Sequence, residues 1–286
     1  MSKLNPSTQI LIVGLGLIGG SYAKALTQKG YKVSAITKDA ADIAYAKSEG
    51  FIVEGADYPD PELIAAADLI VLSLYPSLMA DWVKENQAYM KAGAYLTDTA
   101  GVKGDLVKAI GEILRPDIEY IGAHPMAGRE KSGVMHSDPA IFQGANYIVV
   151  PTPQNSEGAI ELCAHLGEEL GFAKISRLDP ASHDRIIGFV SQLTHCIAIA
   201  LMTANQDEHL EDYTGDSFRD LTRIARINEK LWSELFLTNK EALVAELDAF
   251  TNEMHKLRAH LVAEDTEAIE DMMRYATARR ALFDKK

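Results

Sequence analysis

Basic residues are scarce in this chain: 28 Lys and Arg stand against 41 Asp and Glu in 286 residues, a net charge of -13. That deficit argues against a nucleic acid or an anionic membrane as partner, since both need a basic face. It leaves room for an anionic small molecule, which a local arginine cluster can hold inside an acidic protein. Cysteine is rarer still. Cys163 and Cys196 lie in apolar helical surroundings without CxxC spacing, so they read as buried, reduced thiols in a reducing compartment, with no metal expected. The N-terminal MSKLNPSTQ has no apolar core of the kind a signal peptide needs. No uninterrupted apolar run reaches the roughly eighteen residues of a membrane span. A cytoplasmic protein is expected. Internal repeats and low-complexity tracts are absent too, and no proline follows Pro180.

The remainder divides into two rhythms. With 47% hydrophobic and 24% charged residues the composition is that of a globular protein, and the length suits one large or two modest domains. Up to Leu178, short apolar runs alternate with helical patterns: QILIVGLG, GGSYAKALTQKG, YKVSAIT, DLIVLSLYP, AYLTDTA, EYIGAHP, NYIVVPTP and FAKISRL among them. This alternation predicts an α/β fold with a mostly parallel, doubly wound (Rossmann) sheet covered by helices on both faces. Runs that are apolar throughout, such as LIVLSL, fit strands buried on both sides. After Leu178 the apolar residues recur at three- and four-residue spacing, which predicts an all-α second domain. The expected division is 1–178 and 179–286. CIAIALM is apolar nearly all round, as either a subunit interface or a bundle core would be.

ILIVGLGLIGGS sets Gly14, Gly16 and Gly19 in a GxGxxG pattern between the first strand and the first helix. There the first glycine permits the tight turn, the second lets a pyrophosphate approach, and the third lets helix pack on strand. Leu17 and Ile18 open the helix whose N–H groups would meet the phosphates. The competing reading is a glycine-rich turn without ligand. An NAD site usually ends its second strand in Asp or Glu to bind the ribose 2′-hydroxyl. Here Thr37 and Lys38 occupy that turn, a pair that suits the 2′-phosphate of NADP better, although Asp39 would serve NAD if the strand ran two residues further. SLYP and TDTAG end later strands, so Ser73, Leu74 and Thr99 are expected beside the cofactor, or else in plain strand–helix turns.

His124, in GAHPMAG, is placed at the end of the strand YIGA on the edge where such folds hold their chemistry. Either it is bonded within a turn or it moves a proton. In SFRDLTRIAR, Arg219, Arg223 and Arg226 are spaced to share one helix face, which is either a solvated surface or a carboxylate site. His195 sits in the apolar run SQLTHCIAIAL and needs a polar partner or a ligand. A hydride acceptor, a histidine and an arginine compose a dehydrogenase of a small hydroxy acid.

With these residues in view, the chain resembles the prephenate/arogenate dehydrogenase family, from VGLGLIGGS through TDTAGVKG and GAHPMAGREKSG to SFRDLTRIAR and NEKLW. The resemblance implies that His124 accepts the proton of the ring 4-hydroxyl while hydride leaves the same carbon for NADP or NAD. Loss of the ring carboxylate as CO2 then aromatises the product. It implies that Arg223 binds the substrate carboxylate, that Lys103, the lysine of an S-x-K element, contacts the substrate, and that Glu130 lies near the mouth of the site and also serves substrate binding. It also implies that His195 marks prephenate rather than arogenate as substrate. A homodimer through the helical domain and a monofunctional chain are expected. One position departs from the pattern: Gly101 stands where the family has a serine that orients the catalytic histidine, so Thr99 or a water would have to take over. A β-hydroxyacid dehydrogenase would need a G-x-x-G-x-x-x-K stretch that residues 170–200 do not contain. A non-catalytic NAD(P)-sensing protein would be expected to lack the histidine or the arginine.

Overall fold

The computed structural model describes residues 3–129 and 131–283. Eight strands, β1 (Gln9–Val13), β2 (Lys32–Ile36), β3 (Glu54–Ala56), β4 (Leu69–Leu72), β5 (Tyr95–Asp98), β6 (Glu119–Met126), β7 (Asn146–Val150) and β8 (Lys174–Arg177), form one sheet in the order β3-β2-β1-β4-β5-β6-β7-β8. Every pairing is parallel except that of β6 with β7. The side chains alternate across the sheet as strand geometry requires. Ile10 and Ile12 join the hydrophobic cluster on one face, and Leu11 and Val13 the cluster on the other. Helices α1 (Leu17–Gln28), α2 (Ala40–Ser48), α3 (Pro61–Ala66), α4 (Pro76–Asn86), α5 (Gly104–Ile113) and α6 (Glu157–Glu169) supply the covering residues. After β3 the chain returns to the far side of β1, so the carboxyl ends of β1 and β4 border the crevice in which doubly wound folds take ligands.

Strand β6 runs two residues past its expected end. Its partnership with β5 stops at Ile121, but its partnership with β7 continues through His124–Ile148 to Met126–Asn146. Pro125 is tolerated there because β6 is bonded on one side only, where the missing N–H breaks no ladder.

Beyond Arg177 the described residues hold helices and no strands. Asp179 caps α7 (Pro180–Ile187) by accepting from the Ser182 N–H, with Pro180 in the first turn. A π-helical turn, Gly188–Leu193, then leads into α8 (Thr194–Ala204). Pro180–Ala204 thus forms an unbroken run of 25 residues, long and apolar enough to cross a membrane by length and composition alone. Helices α9 (Asp216–Thr222) and α10 (Glu229–Thr238) come next. Met1–Asn239 makes one compact unit. Lys240–Lys286 makes another, in which α11 (Lys240–Val262) packs on α12 (Thr266–Arg280), whose first turn Asp265 caps.

Candidate active site

At the end of β1 the chain turns so tightly that only glycine fits. Gly14 has φ +99°, and a Cβ there would lie 2.3 Å from the Ser73 carbonyl oxygen. A Cβ on Gly19 would lie 2.0 Å from the Gly14 carbonyl oxygen, so helix and turn touch backbone to backbone. Gly16 is different: among the described residues, nothing comes within 4 Å of a Cβ built on it. It is the N-cap of α1, with no side chain bonded to the helix N-terminus. Open space over uncapped N–H groups at a helix start is what a pyrophosphate requires. Leu17 and Ile18, in the first turn, are half-buried. The residues present therefore fit a dinucleotide.

The rim of the cradle joins three strand ends. Ser73 donates its N–H to Val13 at 2.7 Å, Thr99 donates its N–H to Leu72 at 3.0 Å, and the Thr99 hydroxyl donates to Ser73 Oγ at 3.2 Å. Leu74 packs against the cluster beneath. At the end of β2, Thr37 is half-buried and Lys38 exposed. Asp39 is occupied elsewhere: it caps α2, accepting from the Ala41 N–H at 2.9 Å.

His124 stands on β6 with both ring edges defined. Its Nδ1 lies 2.9 Å from Nε2 of His183 on α7. Its Nε2 faces Gly101, 3.7 Å from where a Cβ would be. His183 is fully buried, and its Nδ1 lies 2.7 Å from Asp184 Oδ1. Asp184 also accepts the N–H groups of Lys103 at 2.9 Å and Gly104 at 2.7 Å. Burial holds the His124 pKa well below the ordinary histidine value, with the nearby charges of His183 and Lys103 acting in the same direction. Burial likewise lowers His183, partly opposed by its bond to Asp184. For Asp184 burial pulls upward, but the bonds from His183 and the two backbone amides outweigh it, and its pKa is lowered.

Lys103, expected at the substrate, is completely buried. Its ammonium bonds Asp98 Oδ1 at 2.7 Å and the Ala100 carbonyl at 2.6 Å, while Tyr120 donates to Asp98 Oδ2 at 2.7 Å. A direct substrate contact is thereby corrected to a tether of the 98–104 loop. Its stem passes close to Gly122, where a Cβ would be 3.2 Å from Lys103 Cδ.

In the helical half, the polar partner expected for His195 is the Ser191 carbonyl, 2.9 Å from Nδ1. Its ring also stacks on Trp232 of α10, centroids 3.6 Å apart. One turn along α10, Leu235 Cδ2 lies 3.5 Å from a Cβ position at Gly101. Helix α10 thus links the His195 side of the site to the His124 side. Arg223 is exposed and opens the 3-10 turn Arg223–Ala225, which packs on α8, the helix that carries His195. The single helix face expected for three arginines is interrupted, because α9 ends at Thr222. Arg219 is an exposed partner of Asp216 at 2.6 Å. Glu130 lies outside the described residues.

Sequence reasoning missed His183, Asp184, Asp98 and Trp232. The His–Asp pair lies in the stretch DPASHD, whose composition signals no more than a helix start.

A doubly wound sheet with this cradle, and with a histidine beside it, defines an oxidoreductase that works with a nicotinamide dinucleotide. Residues 22–176 match the family model described as prephenate dehydrogenase, nucleotide-binding domain, and residues 179–275 match that described as prephenate dehydrogenase, dimerization domain. The chain belongs to the prephenate dehydrogenase family. It is 29% identical to a prephenate dehydrogenase of Lactococcus lactis over 92% of this chain and 73% of that one. It is 28% identical to a cyclohexadienyl dehydrogenase of Zymomonas mobilis over 96% and 95%. Among solved structures, prephenate dehydrogenase of Aquifex aeolicus in complex with hydroxyphenyl propionate and NAD+ matches with a TM-score of 0.89 at 29% identity, covering 97% of this chain and 98% of that one.

Proposed function

We propose that the chain converts prephenate to 4-hydroxyphenylpyruvate by oxidative decarboxylation, in tyrosine biosynthesis. The observation that carries the reading is His124 Nε2, turned toward Gly101 on the sheet edge that holds the dinucleotide cradle. When bound, the dinucleotide supplies the hydride acceptor. His124 Nε2 takes the proton of the substrate's 4-hydroxyl as hydride leaves the carbon bearing it. The ring carboxylate departs as CO2, and its bonding electrons enter the ring and aromatise it. His124 then returns the proton to the phenolic oxygen. Low basicity suits this role, since the base stays neutral and ready at working pH.

Arg223 is assigned to the substrate carboxylate, and His195 and Glu130 to substrate binding. Lys103 acts through Asp98, by fixing the loop that carries Thr99 and Gly101. NADP is the preferred cofactor: Thr37 and Lys38 are available to a 2′-phosphate, and the carboxylate that would have favoured NAD is committed to capping α2. A domain division at residue 178 is supported by the boundary between the two family matches, 22–176 and 179–275, although the compact units divide after Asn239. Association as a homodimer through the helical half is supported by the dimerization-domain match and by apolar side chains left exposed there, Phe189, Val190 and Met202 among them. Two free cysteines, Cys163 and Cys196, support a cytoplasmic location.

The test is a spectrophotometric assay crossing prephenate and arogenate with NADP and NAD. Reduction is expected first with prephenate and NADP, and no reduction with any pair would overturn the reading. His124→Asn should lower kcat by roughly 10²–10⁴ with little change in KM, the usual cost of losing a general base.

A further inference from the structure

We propose that His183 and Asp184 are positioning residues that lock His124 into the one tautomer able to act as a base, by bonding the ring edge opposite the one that faces Gly101. This rests on the reading of His124 as the proton acceptor.

The tautomer is fixed by where the hydrogens must lie. Asp184 accepts three bonds, from the N–H groups of Lys103 and Gly104 and from His183. An ionised carboxylate has no proton to give, so in the 2.7 Å contact the hydrogen belongs to His183 Nδ1. Neutral His183 therefore carries a lone pair on Nε2. In its 2.9 Å contact with His124 the hydrogen must then belong to His124 Nδ1. That leaves the lone pair of His124 on Nε2, the nitrogen turned toward Gly101. The opposite tautomer would set two lone pairs against each other between the rings. When Nε2 takes a proton, the new cation is already bonded through Nδ1 to an acceptor backed by a carboxylate. Only the tautomer and the charge are held in this way, and the protons along the relay stay where they were.

The arrangement is built rather than incidental. His183 is fully buried and Asp184 is mostly so, and neither is left with an unmet bond. Asn239 donates to the Asp184 carbonyl at 2.8 Å and to Gln192 at 2.7 Å, which fixes the α7 backbone from behind. Among the described residues, the other charged groups facing His124 are Lys103 and, behind it, Asp98, which form an ion pair. Thr99, the substitute considered from the sequence, is instead bonded to Ser73.

Histidine side-chain 15N spectra of the intact protein at neutral pH test this, with His124→Asn used to assign the signals. The expected result is a protonated Nδ1 and an unprotonated Nε2 on His124. The reverse tautomer, or an averaged mixture, overturns the proposal without any variant of His183 needing to fold. Kinetics give a second arm. His183→Leu should lower kcat about 100-fold or more and average the two ring signals, while KM for prephenate and Kd for NADP stay within about threefold. His183→Gln, whose oxygen can accept from Nδ1–H, should regain at least ~10-fold of that loss. Equal losses in both variants with the tautomer intact would mean a purely structural role and would sink the proposal. If His124→Asn keeps full activity, the base assignment itself has failed. If His124→Asn is inactive but His183→Leu keeps its rate and tautomer, only the positioning role has failed.

Discussion

Lys103 and Asp98 meet 2.7 Å apart with neither side chain exposed to solvent. The pair joins the loop after β5 to the base of β6, because Asp98 also accepts from Tyr120 and from the Ala123 N–H. Removing one partner leaves a buried charge, which typically costs about 3–5 kcal/mol. Lys103→Met is therefore expected to destabilise the protein by roughly that amount, and Lys103→Met with Asp98→Asn by less, as a double-mutant comparison in urea would show. A single variant within about 1 kcal/mol of wild type would remove the pair from any structural role.

The lowered pKa of His124 has a signature in rate and another in stability. A base that stays neutral to lower pH moves the acid limb of kcat/KM below the ordinary histidine value of about 6.5. Burial in the neutral form sets the sign for folding. Unfolded histidine binds a proton more readily, so the contributions of His124 and His183 are fully present above about pH 6.5 and are lost as pH falls toward their folded values. A pH–rate profile with an acid limb at or above about 6.5 contradicts the first expectation. Denaturation midpoints that do not move over the same range contradict the second.

Cofactor choice should turn on one exposed lysine. Lys38→Ala is expected to raise KM for NADP about tenfold and to leave KM for NAD within about twofold, since only the former carries a 2′-phosphate for the charge to bond. Equal effects on both cofactors would separate Lys38 from the 2′-position.

Two glycines of one motif should fail in different ways. Gly19→Ala drives a Cβ into the Gly14 carbonyl, so both fold stability and cofactor binding are expected to fall. Gly16→Ala meets nothing among the described residues. Its melting temperature should stay within about 2 °C of wild type while the cofactor Kd rises about tenfold, the cost of filling space meant for a pyrophosphate. If the two variants behave alike in calorimetry and cofactor titration, the distinction is wrong.

The parts legible in the sequence were those whose physics is local. The GxGxxG turn declares itself because strand, glycines and helix succeed one another within a dozen residues, and the alternating runs of the first half predicted the sheet for the same reason. His124 could be put on the right edge because it comes after an apolar strand. Its partner could not be found that way: His183 is 59 residues distant and comes from the other half of the chain. Nothing in the spacing of DPASHD distinguishes a ring that faces His124 from one that faces water. Lys103 misled for the opposite reason. A lysine beside a cofactor loop suggests a ligand, and only the fold reveals that Gly122 lets its stem through to a buried carboxylate. The arginine spacing after Gly215 was read as continuous helix, and periodicity does not say where a helix tightens into a 3-10 turn.

The π-helical turn at Gly188–Leu193 acts as a phase setter for α8. A π turn holds one residue more than the α-helical path it interrupts, and each residue of an α-helix accounts for about 100° of rotation. Excising that extra residue would leave Asp184 and His183 where they are and turn α8 by about a quarter of a revolution. His195 would swing off Trp232 while the base and its partners stayed in register. The two halves of the site are therefore clocked separately, and the length of this one turn keeps them in step.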